Sequence, residues 1–223
     1  MHAALKSLVR LSGLCFALCA HGQSTPIFFQ NLNFESANIP PGTPQNSIIP
    51  AANAFPSWTM TPFAGYDFFS TGGSIISIFD SQYPFGVVPL QGNYSAFLFG
   101  APDGPTVLSQ TGLVPSFAKS MDVDLARSGI PLLVVAMNGQ TISLIPIATF
   151  PAYTEYAGDI SAFADQEVLL SFTQMPPSGT PPSIVELDDI QFSTSPIPEP
   201  STLALAAAGT LLLAFARWRK LSP

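Results

Sequence analysis

Between residues 23 and 197, short apolar runs alternate with clusters of Pro, Gly, Asn and Asp at intervals of about ten residues, the pattern of an antiparallel sandwich or barrel. Helical periodicity is nearly absent over this stretch. The runs predict strands over Ile27–Glu35, Ser57–Met60, Gly65–Phe69, Ser74–Phe79, Ser95–Phe99, Thr106–Thr111, Ala118–Leu125, Leu132–Met137, Thr141–Ala148, Glu167–Thr173 and Ile184–Phe192. Asn138-Gly139 joins two β-branched runs and predicts a tight hairpin, and Gly92-Asn93 marks a second turn. Ala37–Pro56, rich in Pro, Asn and Ser, predicts a long surface loop.

Two uncharged apolar runs flank this region and follow a different logic. Leu11–Ala20 comes after Lys6 and Arg10 and before the small residues Ala20-His21-Gly22, which is the layout of a secretory signal over 1–22, cut by signal peptidase. Leu203–Ala216 makes a helix of roughly 21 Å at about 1.5 Å per residue, short of a hydrocarbon core of about 30 Å. Adding Ser201 and Thr202 below, with Arg217, Trp218, Arg219 and Lys220 as the interfacial flank, predicts a minimal transmembrane helix over 201–216 with its basic tail in the cytoplasm. The expected organisation is a signal peptide at 1–22, a β-sandwich domain at 23–195 and a tail at 196–223. The expected fold class is all-β, an antiparallel β-sandwich with an N-terminal signal helix and one C-terminal transmembrane helix.

Composition narrows the chemistry. Only 9% of the 223 residues are charged, against about 25% in an ordinary soluble domain. Five of the 7 basic residues and one of the 14 acids lie outside 23–197, so that segment keeps Lys119 and Arg127 and carries a net charge of −11. Nucleic-acid binding is excluded, because phosphate contacts need clustered Lys and Arg. Cys15, Cys19, His2 and His21 all leave with the signal. An exported segment without thiol or imidazole has no disulfide staple, no zinc site built on Cys or His, and no Ser-His-Asp or cysteine nucleophile.

Pro198-Glu199-Pro200, followed by the hydrophobic run and the Arg-rich terminus, resembles the PEP-CTERM sorting signal of bacterial exported proteins. The resemblance covers 196–223. It implies recognition in the inner membrane by an exosortase, then release or transfer to the cell surface or extracellular matrix, and it leaves the task of the exported domain open.

Three stretches resemble the galactose-binding-like jelly rolls found in carbohydrate-binding modules: Asn31–Glu35, Asp159–Phe172 and Leu187–Phe192. The resemblance implies that the first and last stretches are neighbouring strands and the middle one a helical turn leading into a strand. Asp165 departs from it, standing where the pattern often has Gly. It also implies a structural Ca²⁺ held by Glu35, Asp188 and Asp189, an ion that needs several hard oxygen ligands. Strand alternation places Asp188 on the core side with Ile190 and Phe192, where a carboxylate needs a partner, and the alternatives to calcium are that Asp188 accepts backbone amides or that Asp188 and Asp189 are both solvated at a sheet edge.

Trp58, Tyr66, Tyr83 and Tyr94 form a candidate sugar-stacking set, with Asn93 or Asp67 to supply hydrogen bonds. Phe97, Phe99, Phe117, Phe172 and Phe192 are expected in the core. Carboxylates are the only general acid or base groups present in number; Asp122 with Asp124 on one strand face, and Asp159 with Asp165 on a turn, are the pairs a glycosidase would draw on. The sequence therefore reads as a non-enzymatic exported surface or matrix protein that engages polysaccharide. The alternatives are a carboxylate-dependent glycoside hydrolase and a purely structural matrix protein.

Overall fold

A computed structural model describes residues 26–69, 73–127, 129–178 and 182–197. The signal peptide, the Pro198-Glu199-Pro200 motif, the 201–216 helix and the 217–220 flank lie outside the described residues. Within them, no helix is long and apolar enough to cross a membrane.

Thirteen strands form among the described residues. They are β1 (Ser47–Ile49), β2 (Thr59–Thr61), β3 (Ala64–Tyr66), β4 (Ile75–Phe79), β5 (Ser95–Gly100), β6 (Thr106–Leu113) and β7 (Ser120–Ala126). They continue with β8 (Leu133–Met137), β9 (Gln140–Ile142), β10 (Ile145–Thr149), β11 (Thr154–Asp159), β12 (Glu167–Gln174) and β13 (Ser183–Ser193). Eight lie in one sheet in the order β1-β3-β4-β5-β13-β7-β11-β10, and five in the other in the order β2-β6-β12-β8-β9. All pairings between strands are antiparallel except β3 with β4.

Alternation explains the sandwich. Ile76, Ile78, Ala96, Leu98, Met121, Val123, Leu125, Val185 and Leu187 of the larger sheet share a core with Leu108, Val135, Met137, Val168, Leu170 and Phe172 of the smaller. Each buried large apolar side chain contributes about 1.5–3 kcal/mol, and this packing must hold a domain that has no disulfide. Phe34, Phe55, Trp58 and Phe172 form a chain of ring contacts that closes one end, with ring centroids 5.7–6.3 Å apart. Ile75, Phe79, Tyr83, Phe97 and Phe99 form a second buried cluster. Register puts it on the outer face of the larger sheet, since Phe97 and Phe99 alternate with the core residues Ala96 and Leu98. The expectation that Phe97 and Phe99 are buried holds. Phe117 is instead 55% exposed, in the turn that precedes β7.

Several element boundaries differ from expectation for local reasons. Ile27–Glu35 is no strand: Phe28 makes an isolated parallel bridge to Leu113, and positive φ at Asn31 and Phe34 turns the chain. Its tie to β13 is the Ile190 N–H donating to the Leu32 carbonyl at 3.0 Å. The predicted loop 37–56 contains β1 and a single helical turn, Ala51–Ala54. The run Thr141–Ala148 breaks at Ser143-Leu144 into β9 and β10, which belong to different sheets. The Asn138-Gly139 hairpin forms as predicted, with Met137 opposite Gln140 and positive φ at both turn residues. The helical turn Ser161–Phe163 leads into β12 as the resemblance implied, and Asp165 takes a φ of 62°, so the departure from Gly keeps a left-handed backbone.

Gly92 stands in the left-handed region (φ 55°), which favours glycine, and a Cβ there would also meet the Glu35 carboxylate. Glu35 accepts from the Asn93 N–H at 2.7 Å, the Asn93 Nδ2 at 2.8 Å and the Tyr94 N–H at 3.0 Å, tying the N-terminal segment to the start of β5. Gly92→Ala is expected to lower unfolding free energy by about 1–3 kcal/mol through strain and this clash. Because the clash needs the Glu35 carboxylate, urea melts of Gly92→Ala, Glu35→Ala and the double variant are expected to show a smaller effect of Gly92→Ala in the Glu35→Ala background.

Candidate functional site

The outer face of the larger sheet carries a row of polar side chains because four strands present them in register. Ser95 on β5 lies across from Asp188 on β13, Asp188 pairs with Asp124 on β7, and Asp124 pairs with Glu155 on β11. One step along, Glu186 lies between Phe97 and Ala126. The expectation that placed Asp188 on the core side is corrected here. A bulge between Asp188 and Gln191, with Asp189 at φ 44°, shifts the alternation. Val185, Leu187 and Ile190 therefore face the core, while Glu186 and Asp188 share the opposite face.

Asp188 is fully buried and fully used. Its carboxylate accepts from Ser95 Oγ at 2.6 Å, the Gln91 N–H at 3.1 Å and the Asp189 N–H at 2.7 Å. Glu35 holds Asn93 and Tyr94, so the two carboxylates clasp the 91–95 segment from its two sides. Asp189 accepts from Gln191 Nε2. Asp188 thus accepts two backbone amides, one of the alternatives stated from sequence, with the Ser95 hydroxyl as a third donor. Among the described residues, no three His, Cys, Asp or Glu are grouped to hold a metal.

The aromatic set is not an exposed platform. Trp58, Tyr66 and Tyr83 are buried, and Tyr94 is half-buried against the core. The Trp58 indole N–H donates to the Asn31 carbonyl at 3.0 Å, and the Tyr66 hydroxyl donates to Asp80 Oδ2 at 2.9 Å. Burial pushes the Tyr83 hydroxyl up to about 12. Asp122 and Asp124 do share one strand face, as alternation predicted. Asp159 accepts from the Ser161 N–H at 2.8 Å, and this caps a turn.

Sequence reasoning missed the feature that gathers these groups beside a cleft. Arg127, the residue after β7, donates from Nε to Glu186 Oε2 at 2.8 Å and lies 5.6 Å from the Phe97 ring centroid. It separates two recesses. One, of about 340 Å³, is walled by Gly86–Val88, Leu90, Pro151, Ala152 and Glu186; the other, of about 250 Å³, by Leu125, Ile130 and Phe150–Thr154. Gln91 joins the cleft to the carboxylate row, its Nε2 donating to Tyr153 Oη at 2.7 Å and more weakly to Asp124 Oδ2 at 3.4 Å. A larger recess of about 400 Å³ between the sheets is mostly apolar and has no charged side chain in its wall. The signal that could have found Arg127 was compositional: it is one of two basic residues in the exported segment.

Burial shapes the charge state of the row. Loss of solvent raises Asp188 to about 7 against the pull of its hydrogen bonds, and raises Glu186 to about 7 although Arg127 opposes the shift. Asp124 rises to about 6, with desolvation the main cause and Asp189 and Glu155 adding repulsion. Carboxyl groups held partly protonated near neutral pH are what a general acid requires. They are also what a sheet must do to stack like charges opposite one another.

Residues 196–220 match the PEP-CTERM protein-sorting motif. No curated protein matches the chain. The motif match supports an exported, exosortase-processed protein that carries a C-terminal membrane-anchored sorting signal.

The raised carboxyls set a pH dependence. Each binds its proton more tightly folded than unfolded, so its contribution is fully present below the ordinary values of 3.8 and 4.5 and is lost as pH rises toward about 7. The melting temperature is therefore expected to fall between pH 4 and pH 7.5, and Asp188→Asn is expected to flatten that slope, measured by thermal melts across the range.

Proposed function

We propose that this exported protein uses its sandwich as a non-catalytic module that binds polysaccharide at the cell surface or in the extracellular matrix. The sorting motif supports delivery to that location. The observation that carries the binding role is the cleft at Arg127. It is an open recess rimmed by Phe150 and Tyr153, whose rings stack 4.7 Å apart, and bordered by a fixed guanidinium, so that an aromatic face and a charged donor stand side by side. Binding moves from the four rings expected from sequence, three of which are core residues, to this rim.

A second reading has a specific observation in its favour. Asp124, Glu186 and Asp188 are raised toward neutrality on one sheet face, and a glycosidase needs one carboxylic acid in that state beside an ionised partner. The binding reading is preferred because Asp188 is fully buried and its carboxylate is already bonded to Ser95, Gln91 and Asp189.

Polysaccharide retention with no release of reducing ends is the expected outcome for the full-length chain incubated with soluble glycans. Reducing-end release abolished by Glu186→Gln or Asp124→Asn would install the hydrolase instead. Replacing Pro198-Glu199-Pro200 by three alanines is expected to leave unprocessed protein in the inner-membrane fraction; unchanged processing would remove the exosortase step.

A further inference from the structure

Arg127 is held in an unusual way. Its backbone takes φ 83°, a left-handed conformation that costs a non-glycine residue of order 1–3 kcal/mol and that concentrates at ligand sites. Nε is spent on Glu186, and the ring of Phe97 lies beneath the guanidinium, yet 39% of the side chain stays exposed. Among the described residues, no hydrogen bond uses its two Nη groups. Among the described residues, Glu186 Oε1 is buried with no hydrogen-bond partner, a cost that a bound donor would relieve. The cleft wall thus offers unused donors beside an unused acceptor.

Adjacent hydroxyl groups match that pair, since each both donates and accepts. Phe150, 43% exposed and stacked on Tyr153, supplies an apolar face at the rim of the neighbouring recess, suited to the C–H face of a sugar ring. A cavity of about 340 Å³ lies at the small end of ligand sites. Charge selects further. The segment's net charge of −11 repels a polyanion.

We infer that the cleft takes a neutral glycan chain, one residue of which has adjacent hydroxyls that accept from Arg127 and donate to Glu186, while Phe150 in the neighbouring recess lies against the ring face of the next. This rests on the polysaccharide-binding reading and names the site and the ligand class within it.

The test is affinity electrophoresis of the full-length chain in detergent through gels containing neutral polymers (β-1,3-glucan, galactan, mannan) or uronate polymers (alginate, polygalacturonate). At least one neutral polymer is expected to retard the protein and the uronates are not. Arg127→Ala is expected to weaken retardation about tenfold or more, Phe150→Ala several-fold, and Lys119→Ala not at all. Arg127→Lys keeps the charge but lacks the second donor of the fork; it is expected to weaken binding too, and it is read in place of Arg127→Ala if that variant lacks a cooperative melt. Neutral-glycan binding insensitive to Arg127 and Phe150 would overturn the site and leave the polysaccharide reading standing. Arg127-dependent binding of uronates alone would overturn the ligand class. Absence of binding to every polymer would overturn both.

Discussion

The structure turns on one buried carboxylate. Asp188 is placed on the outer face of the larger sheet by a bulge and accepts from Ser95, Gln91 and Asp189. By fixing Gln91 it fixes the side chain that reaches Asp124 and Tyr153. It thereby sets the position of the 86–91 segment against the 150–153 turn, the two walls of the cleft. Glu35 works from the other side, on Asn93 and Tyr94. A domain without cysteine has no covalent means of holding a long connection such as 80–94, and the hydrogen bonds accepted by Asp188 and Glu35 take that part.

Charge is divided unequally between the two sheets. Seven acids lie in strands of the larger sheet, Asp122, Asp124, Glu155, Asp159, Glu186, Asp188 and Asp189, and Glu167 alone in strands of the smaller. Instead, the outer face of the smaller sheet carries hydroxyls: Thr59 pairs with Ser109, which pairs with Ser171, and Thr111 lies across from Leu169. The low charge density of the sequence is therefore a property of one face, and the acids are gathered where burial and Arg127 manage them.

What was legible in the sequence follows from periodicity. Nine of the eleven predicted runs coincide with strands, because alternation and β-branched content report burial directly. The exceptions have physical causes. Phe34 enters the core from a turn, so its hydrophobicity mimicked a strand; Thr141–Ala148 changes sheet at a break that its composition does not mark. β11 was missed because Thr154–Asp159 mixes two acids, one Tyr and Gly without alternation. At the site, the pairing of Asp122 with Asp124 was readable from spacing. The face of Asp188 was not, since a single left-handed residue at Asp189 inverts the count. Nor was the Arg127–Glu186 pair, which joins residues far apart in sequence through strand order alone.

The protonation of Asp188 reports most directly on the buried row. Carboxyl-carbon NMR titration of the purified protein, with the Asp188 resonance assigned through Asp188→Asn, reads that proton itself. A midpoint near 7 is the result that burial of the side chain predicts; a midpoint in the ordinary Asp range near 3.8 would show that its three donors offset the loss of solvent, and would contradict it.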